Sequence, residues 1–119
     1  MNIITLKCIL FLVICAGPVV AGDWHKLNGA EIEFALTART LGYEKEKATQ
    51  DFFDDGRTLY NMAIPSWGRW RVKENKYCSL WPPSTIWVCY DLERHKFGLL
   101  LRFVSKDGHI FKGKYIDLD

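Results

Sequence analysis

The sequence predicts an α+β fold: one short N-terminal helix packed on an antiparallel meander of six to seven strands, or that sheet curled further toward a barrel. Three observations predict it. Turn signals recur about every 8–12 residues from Glu44 onward. Apolar and polar residues alternate with period two between them. A single capping signature, Asn28-Gly29-Ala30-Glu31, opens a short run with helical spacing ahead of all the strands.

The chain has 119 residues and four cysteines. Residues 1–21 have the layout of a secretory signal peptide: Lys7 as the positive region, an apolar run from Cys8 to Ala16, breakers Gly17 and Pro18, and Val19-Val20-Ala21 before a cleavage site. The apolar run is shorter than the ~20 residues a bilayer span needs, so no stable membrane anchor is expected after cleavage. Residues 22–119 then form a single α+β domain, a length that supports one modest core. Lys7 is the one charged residue of the leader, so that domain carries 15 Lys and Arg against 14 Asp and Glu. Near-neutral charge argues against a nucleic-acid partner, which needs a concentrated basic surface. Cys78 and Cys89 remain in an oxidising compartment, periplasmic or extracellular, where a disulfide is the default.

Trp24 lies in a polar lead-in segment. Asn28 and Glu31 can cap each other's orphan backbone donors, and Leu27 and Ile32 flank the cap as a hydrophobic staple. A helix from Gly29 to about Thr37 places Ile32, Ala35 and Leu36 on one face, with Phe34 to the side. Arg39–Tyr43 reads as the first strand and Glu44–Lys47 as a solvated turn. Gln50–Phe53 and Thr58–Tyr60 flank Asp54-Asp55-Gly56, a hairpin signal. The carboxylates there fit turn chemistry better than a calcium loop, which needs alternating ligands and a terminal Glu.

Ser66–Leu92 holds four of the five tryptophans. With turns at Lys73–Lys76 and Pro82–Thr85, Val72 pairs with Tyr77, Trp70 with Ser79, Trp81 with Ile86, and Tyr77 with Tyr90. Cys78 then falls opposite Cys89, at a separation that a disulfide bridges. Strand alternation sorts two faces. Trp70, Val72, Tyr77, Ser79, Trp81, Ile86, Val88 and Tyr90 form a core face. Trp67, Arg69, Arg71 and Trp87 lie opposite, with the cysteines. Phe97–Val104 and a last strand from His109 to Ile116, interrupted at Gly113, flank a second Asp-Gly turn, Asp107-Gly108.

Several segments together, Leu27–Ile32, Asp55–Tyr60, Trp67–Val72 and Tyr77–Trp81, resemble small secreted or periplasmic proteobacterial proteins grouped as domains of unknown function. The resemblance covers most of the chain after residue 21. It implies export and a small α+β domain, and it transfers no catalytic residue.

No nucleophile elbow, phosphate loop or His-Glu-x-x-His occurs, and His25, His95 and His109 lack metal-ligand spacing. The sequence therefore calls for no catalytic residue, no metal and no cofactor. Its leading functional expectation is a non-enzymatic exported module that uses Trp67, Arg69, Arg71 and Trp87 to bind an envelope or secreted protein partner. Two alternatives accompany it. One is a small-ligand carrier with a cavity lined by Tyr43, Tyr60 and Tyr90 inside a curled sheet, which a filled core would exclude. The other is a small cell-wall or glycan hydrolase using two facing carboxylates drawn from Glu31, Glu33 and the Asp residues near 51–55.

Overall fold

The computed structural model describes residues 22–118; residues 1–21, where a signal peptide is expected, lie outside the described residues. Nine strands and one helix follow in order: β1 (Trp24–Lys26), α1 (Gly29–Leu36), β2 (Arg39–Tyr43), β3 (Ala48–Phe52), β4 (Arg57–Asn61), β5 (Ser66–Lys73), β6 (Lys76–Leu80), β7 (Val88–His95), β8 (Leu100–Val104) and β9 (Ile110–Tyr115). Strands β2 to β9 pair antiparallel, each with the next, and β2 also pairs with β9 through Leu41 opposite Tyr115 and Gly42 opposite Lys114. The meander is thus a closed eight-stranded up-and-down barrel. β1 is a further strand that lies beside the last residues of β7. The expected six to seven strands fall short: the barrel itself has eight, and the lead-in segment at Trp24 is a ninth. The barrel closes through those two residue pairs between β2 and β9, which leaves only β1 with an unpaired edge among the described strands.

The turns explain the meander. Gly56 and Gly108 both take positive φ, 89° and 92°, where a side chain would be strained, and they sit in the two Asp-Gly hairpins. The β5–β6 turn is two residues, Glu74 and Asn75, both at positive φ. Its register is the one the sequence predicts: Val72 opposite Tyr77 and Trp70 opposite Ser79. On the other side of β6, Tyr77, Cys78 and Ser79 face Tyr90, Cys89 and Val88, and Cys78 and Cys89 are disulfide-bonded.

The helix seals one end. Asn28 Oδ1 accepts from the Glu31 N–H at 2.9 Å, and Glu31 Oε1 accepts from the Asn28 N–H at 2.8 Å, a complete capping box. The Gly29 N–H donates to Asn75 Oδ1 in the β5–β6 turn, which pins the helix start to the barrel rim. At the other end of the helix, the Tyr115 hydroxyl donates to the Ala35 carbonyl at 2.7 Å. Ile32, Ala35 and Leu36 are buried as expected and join Leu41, Phe52, Trp70, Leu92 and Leu101 in one core, while Phe34 faces solvent. A short helix with so few turns depends on that packing.

Alternation gives the barrel its inside: Leu41 and Tyr43, Gln50 and Phe52, Thr58 and Tyr60, Trp70, Tyr77 and Ser79, Tyr90 and Leu92, Leu101 and Phe103, Gly113 and Tyr115. Two residues assigned to the core by parity are not in it. Ile86 is 69% exposed and Val88 48% exposed. β7 begins only at Val88, so Ile86 belongs to the loop Trp81–Trp87 and Val88 stands at the open rim, beyond the packed interior. The last strand also differs from expectation: Gly113 pairs with Leu101 without interrupting β9, and its missing side chain leaves room for Leu41 and Tyr43, which lie 3.2 and 3.1 Å from where a Cβ would be.

Candidate functional site

The end of the barrel opposite the helix is open and leads into a cavity of about 370 Å³. The loops that surround it are Glu44–Lys47, Met62–Pro65, Trp81–Trp87 and Ser105–His109, which join β2–β3, β4–β5, β6–β7 and β8–β9. Seven aromatic side chains line the cavity: Tyr43, Tyr60, Tyr77, Trp81, Tyr90, Phe103 and Phe111. Glu46, Gln50, Ser66, Ser79 and Pro82 complete the wall. This volume falls in the ~300–1,000 Å³ range of small-molecule sites, which are mostly apolar with a few placed polar groups.

A hydrogen-bonded floor separates the cavity from the helix-sealed core. The Tyr43 hydroxyl donates to Gln50 Oε1 at 2.7 Å, and Gln50 Nε2 donates to Thr58 Oγ1 at 2.9 Å and to the Tyr77 hydroxyl oxygen at 3.2 Å. The Thr58 hydroxyl in turn donates to the Asp51 carbonyl at 2.7 Å. Both amide protons of Gln50 and its carbonyl are therefore used, which a buried amide requires. Phe103 meets Tyr77 edge-on with centroids 5.0 Å apart. The result is a rigid base on which the upper aromatic side chains stand.

The side wall depends on a glycine. Trp81 returns over β5, and a Cβ at Gly68 would lie 2.5 Å from its ring. No larger residue at position 68 leaves the indole there. Trp81 then donates through Nε1 to Ser79 Oγ at 3.2 Å and meets Tyr60 edge-on.

The tyrosine hydroxyls are held neutral. Burial pushes Tyr77 up to about 12 from an ordinary 10.0. Burial and the neighbouring hydroxyls and carboxylate push Tyr43 well above its ordinary value. Burial, then the Glu46 charge, raises Tyr60; burial, then the Asp107 charge, raises Tyr90. A folded-state value above the unfolded one means that the native protein holds the Tyr77 proton more tightly than the unfolded chain does. Its contribution to stability is complete below pH 10.0 and is lost as pH rises through about 12. Melting temperature is expected to fall over that interval, with a shallower fall in Tyr77→Phe. An identical alkaline slope in the variant would show that Tyr77 does not titrate with folding.

The residues expected to form a binding face lie outside the barrel and divide into two groups. Arg71 stacks on Trp87 with its guanidinium carbon 4.0 Å from the ring centroid, reaching across β6 on the face that carries the fully buried Cys78. Trp67 stacks on Phe53, and Arg57 lies over both rings at 5.2 and 5.1 Å. Arg69 is exposed between these groups, opposite Arg57 and Leu80. Arg57 and Phe53 complete the Trp67 stack, although neither stood out in the sequence. The acidic candidates are also apart. Glu31 is engaged in the capping box, Asp51 accepts from the Thr40 hydroxyl, and Asp55 accepts from the Arg57 backbone and guanidinium. Among the described residues, no group of three His, Cys, Asp or Glu side chains could hold a metal ion, and no helix is long and apolar enough to cross a membrane.

Tyr43, Tyr60 and Tyr90, the expected lining of a carrier cavity, do stand together on its wall. Glu46 and Gln50 are the residues that sequence reasoning missed. For Gln50 the signal is parity, since Ala48, Gln50 and Phe52 face inward along β3; Glu46 lies in the β2–β3 turn, where strand parity does not reach.

Fold and cavity together define a small disulfide-bonded antiparallel barrel, sealed at one end by a helix and open at the other. No family model, curated protein or solved structure matches the chain.

Proposed function

We propose that this protein is a non-enzymatic carrier of a small, largely apolar ligand, working in the periplasm or outside the cell. The observation that carries this reading is the cavity of about 370 Å³ with seven aromatic walls. An eight-stranded barrel is just wide enough to be filled by its own side chains or to hold one small ligand. Here the helix-sealed half is filled and the open half is not. The wall contains one carboxylate, Glu46, where hydrolysis of a glycosidic bond by paired carboxylates needs two; that supports a carrier over a hydrolase. The outer face of Trp67, Arg69, Arg71 and Trp87 offers no comparable enclosure, so an envelope or secreted protein partner there is the weaker reading. The Cys78–Cys89 disulfide supports an oxidising compartment, and the resemblance to exported proteobacterial proteins supports the same place.

The test uses a neutral probe, 1-naphthylmethanol, followed by the quenching of tryptophan fluorescence. Saturable binding is expected. Ser66 lies exposed on the cavity wall opposite Tyr60, so Ser66→Trp should fill the mouth without disturbing the core and abolish uptake. Uptake that is unchanged in Ser66→Trp would place the probe elsewhere and remove the cavity as the site.

A further inference from the structure

The charge inventory of the cavity wall is one-sided. Among the described residues lining it, Glu46 is the only carboxylate, and no Lys, Arg or His is present. Glu46 stands in the β2–β3 turn, and its Oε1 is buried yet accepts no hydrogen bond from any described residue. Polar atoms buried in this way are normally paired, because loss of hydration without a partner is costly. Gln50 cannot serve, since both its amide protons go to Thr58 and Tyr77. The tyrosine rings that line the same cavity carry on their faces the negative side of the aromatic quadrupole, which attracts a cation and not an anion.

Resting on the carrier reading, we infer that the ligand is a cation, an amine attached to an apolar or aromatic body, with the ammonium held by Glu46 and the aromatic faces of Tyr43 and Tyr60. The body then lies toward Tyr90 and Phe103, on the floor made by Tyr77. An anionic ligand finds no counter-charge in this wall and meets a carboxylate. A neutral ligand gains the apolar contacts alone. The raised Tyr43 and Tyr60 hydroxyls are consistent with a carboxylate close to both rings, since the Glu46 charge contributes to each.

The experiment compares three probes with one ring system at pH 7: 1-naphthylmethylamine, 1-naphthylmethanol and 1-naphthylacetate. The amine should bind about tenfold more tightly than the alcohol, the increment of one charge-assisted hydrogen bond, and the acetate should bind most weakly. Glu46→Gln, close in shape, should remove the advantage of the amine over the alcohol. Uptake of the amine alone, lost in Glu46→Gln, supports the inference equally. If the alcohol binds but the amine has no advantage, or keeps it in Glu46→Gln, the cation assignment is wrong while the carrier reading stands. If none of the three enters the wild-type cavity, the carrier reading itself falls, and the cation assignment with it.

Discussion

Phe52→Ala is expected to cost roughly 3–5 kcal/mol, the range for emptying a fully buried aromatic site. Phe52 is 1% exposed and lies where the helix-sealed core meets the floor of the cavity. Trp70 and Tyr77 both meet its ring edge-on, at 5.8 and 5.9 Å. These neighbours are themselves anchored. Trp70 Nε1 donates to the Phe53 carbonyl, and the Tyr77 hydroxyl accepts from Gln50. They cannot collapse into the space a phenyl ring leaves without breaking those bonds, which puts the expected cost in the upper part of the range. Against a total stability of about 5–15 kcal/mol for a domain of this kind, the loss is a large fraction. Urea denaturation should show a lower midpoint at unchanged slope. Phe34→Ala is the control: Phe34 is 78% exposed on the outer side of the helix and should change stability by less than about 0.5 kcal/mol. A loss below about 1 kcal/mol for Phe52→Ala would show that the two halves of the interior are not joined through this ring.

The parts of this architecture that were legible in the sequence are those set by local chemistry. Asn28 and Glu31 announce the helix because each can satisfy only the other's backbone donor at that spacing. The β5–β6–β7 register follows from short turns and strand parity, and Cys78 facing Cys89 followed without being imposed. Tyr90 follows from the same parity, and Tyr43 and Tyr60 join it as the expected lining of a curled sheet. Closure was not legible. It rests on two residue pairs between β2 and β9, separated by most of the chain, and no turn or motif specifies them. They meet because the twist of eight strands brings the first and last together, a property of the whole sheet. Ile86 and Val88 show the complementary limit: parity says which way a side chain points but not where along the barrel the packed interior ends. Glu46 was hidden for a third reason. Within Glu44–Lys47 it is chemically indistinguishable from its solvated neighbours, and only the turn's fold over the mouth directs it inward.

Reducing the Cys78–Cys89 bond, or replacing Cys78 with Ser, is expected to lower stability by about 2–4 kcal/mol. The bond closes a short loop, with a sequence separation of 11, and joins directly facing residues of β6 and β7. Cys78 has no exposed surface, so Cys78→Ser adds a buried hydroxyl to the loss of the cross-link. Cys78→Ala with Cys89→Ala removes the bond without that term and separates the two contributions. Equal melting of the double variant and the oxidised wild type would mean that the cross-link adds nothing to this fold. The consequence for function is distinct from the consequence for stability. The loop held by the bond, Trp81–Trp87, supplies Trp81 and Pro82 to the cavity wall, and Trp81 reaches its place by lying against Gly68 of β5. With the staple open, the strands flanking that loop are joined by the three-residue pairing of β6 with β7, and Trp81 is expected to lose its fixed position before the barrel unfolds. Uptake of 1-naphthylmethanol should therefore weaken in the double variant at temperatures well below its melting point. Unchanged uptake there would show that the indole is held by Gly68, Ser79 and Tyr60 alone, and that the disulfide serves the fold but not the site.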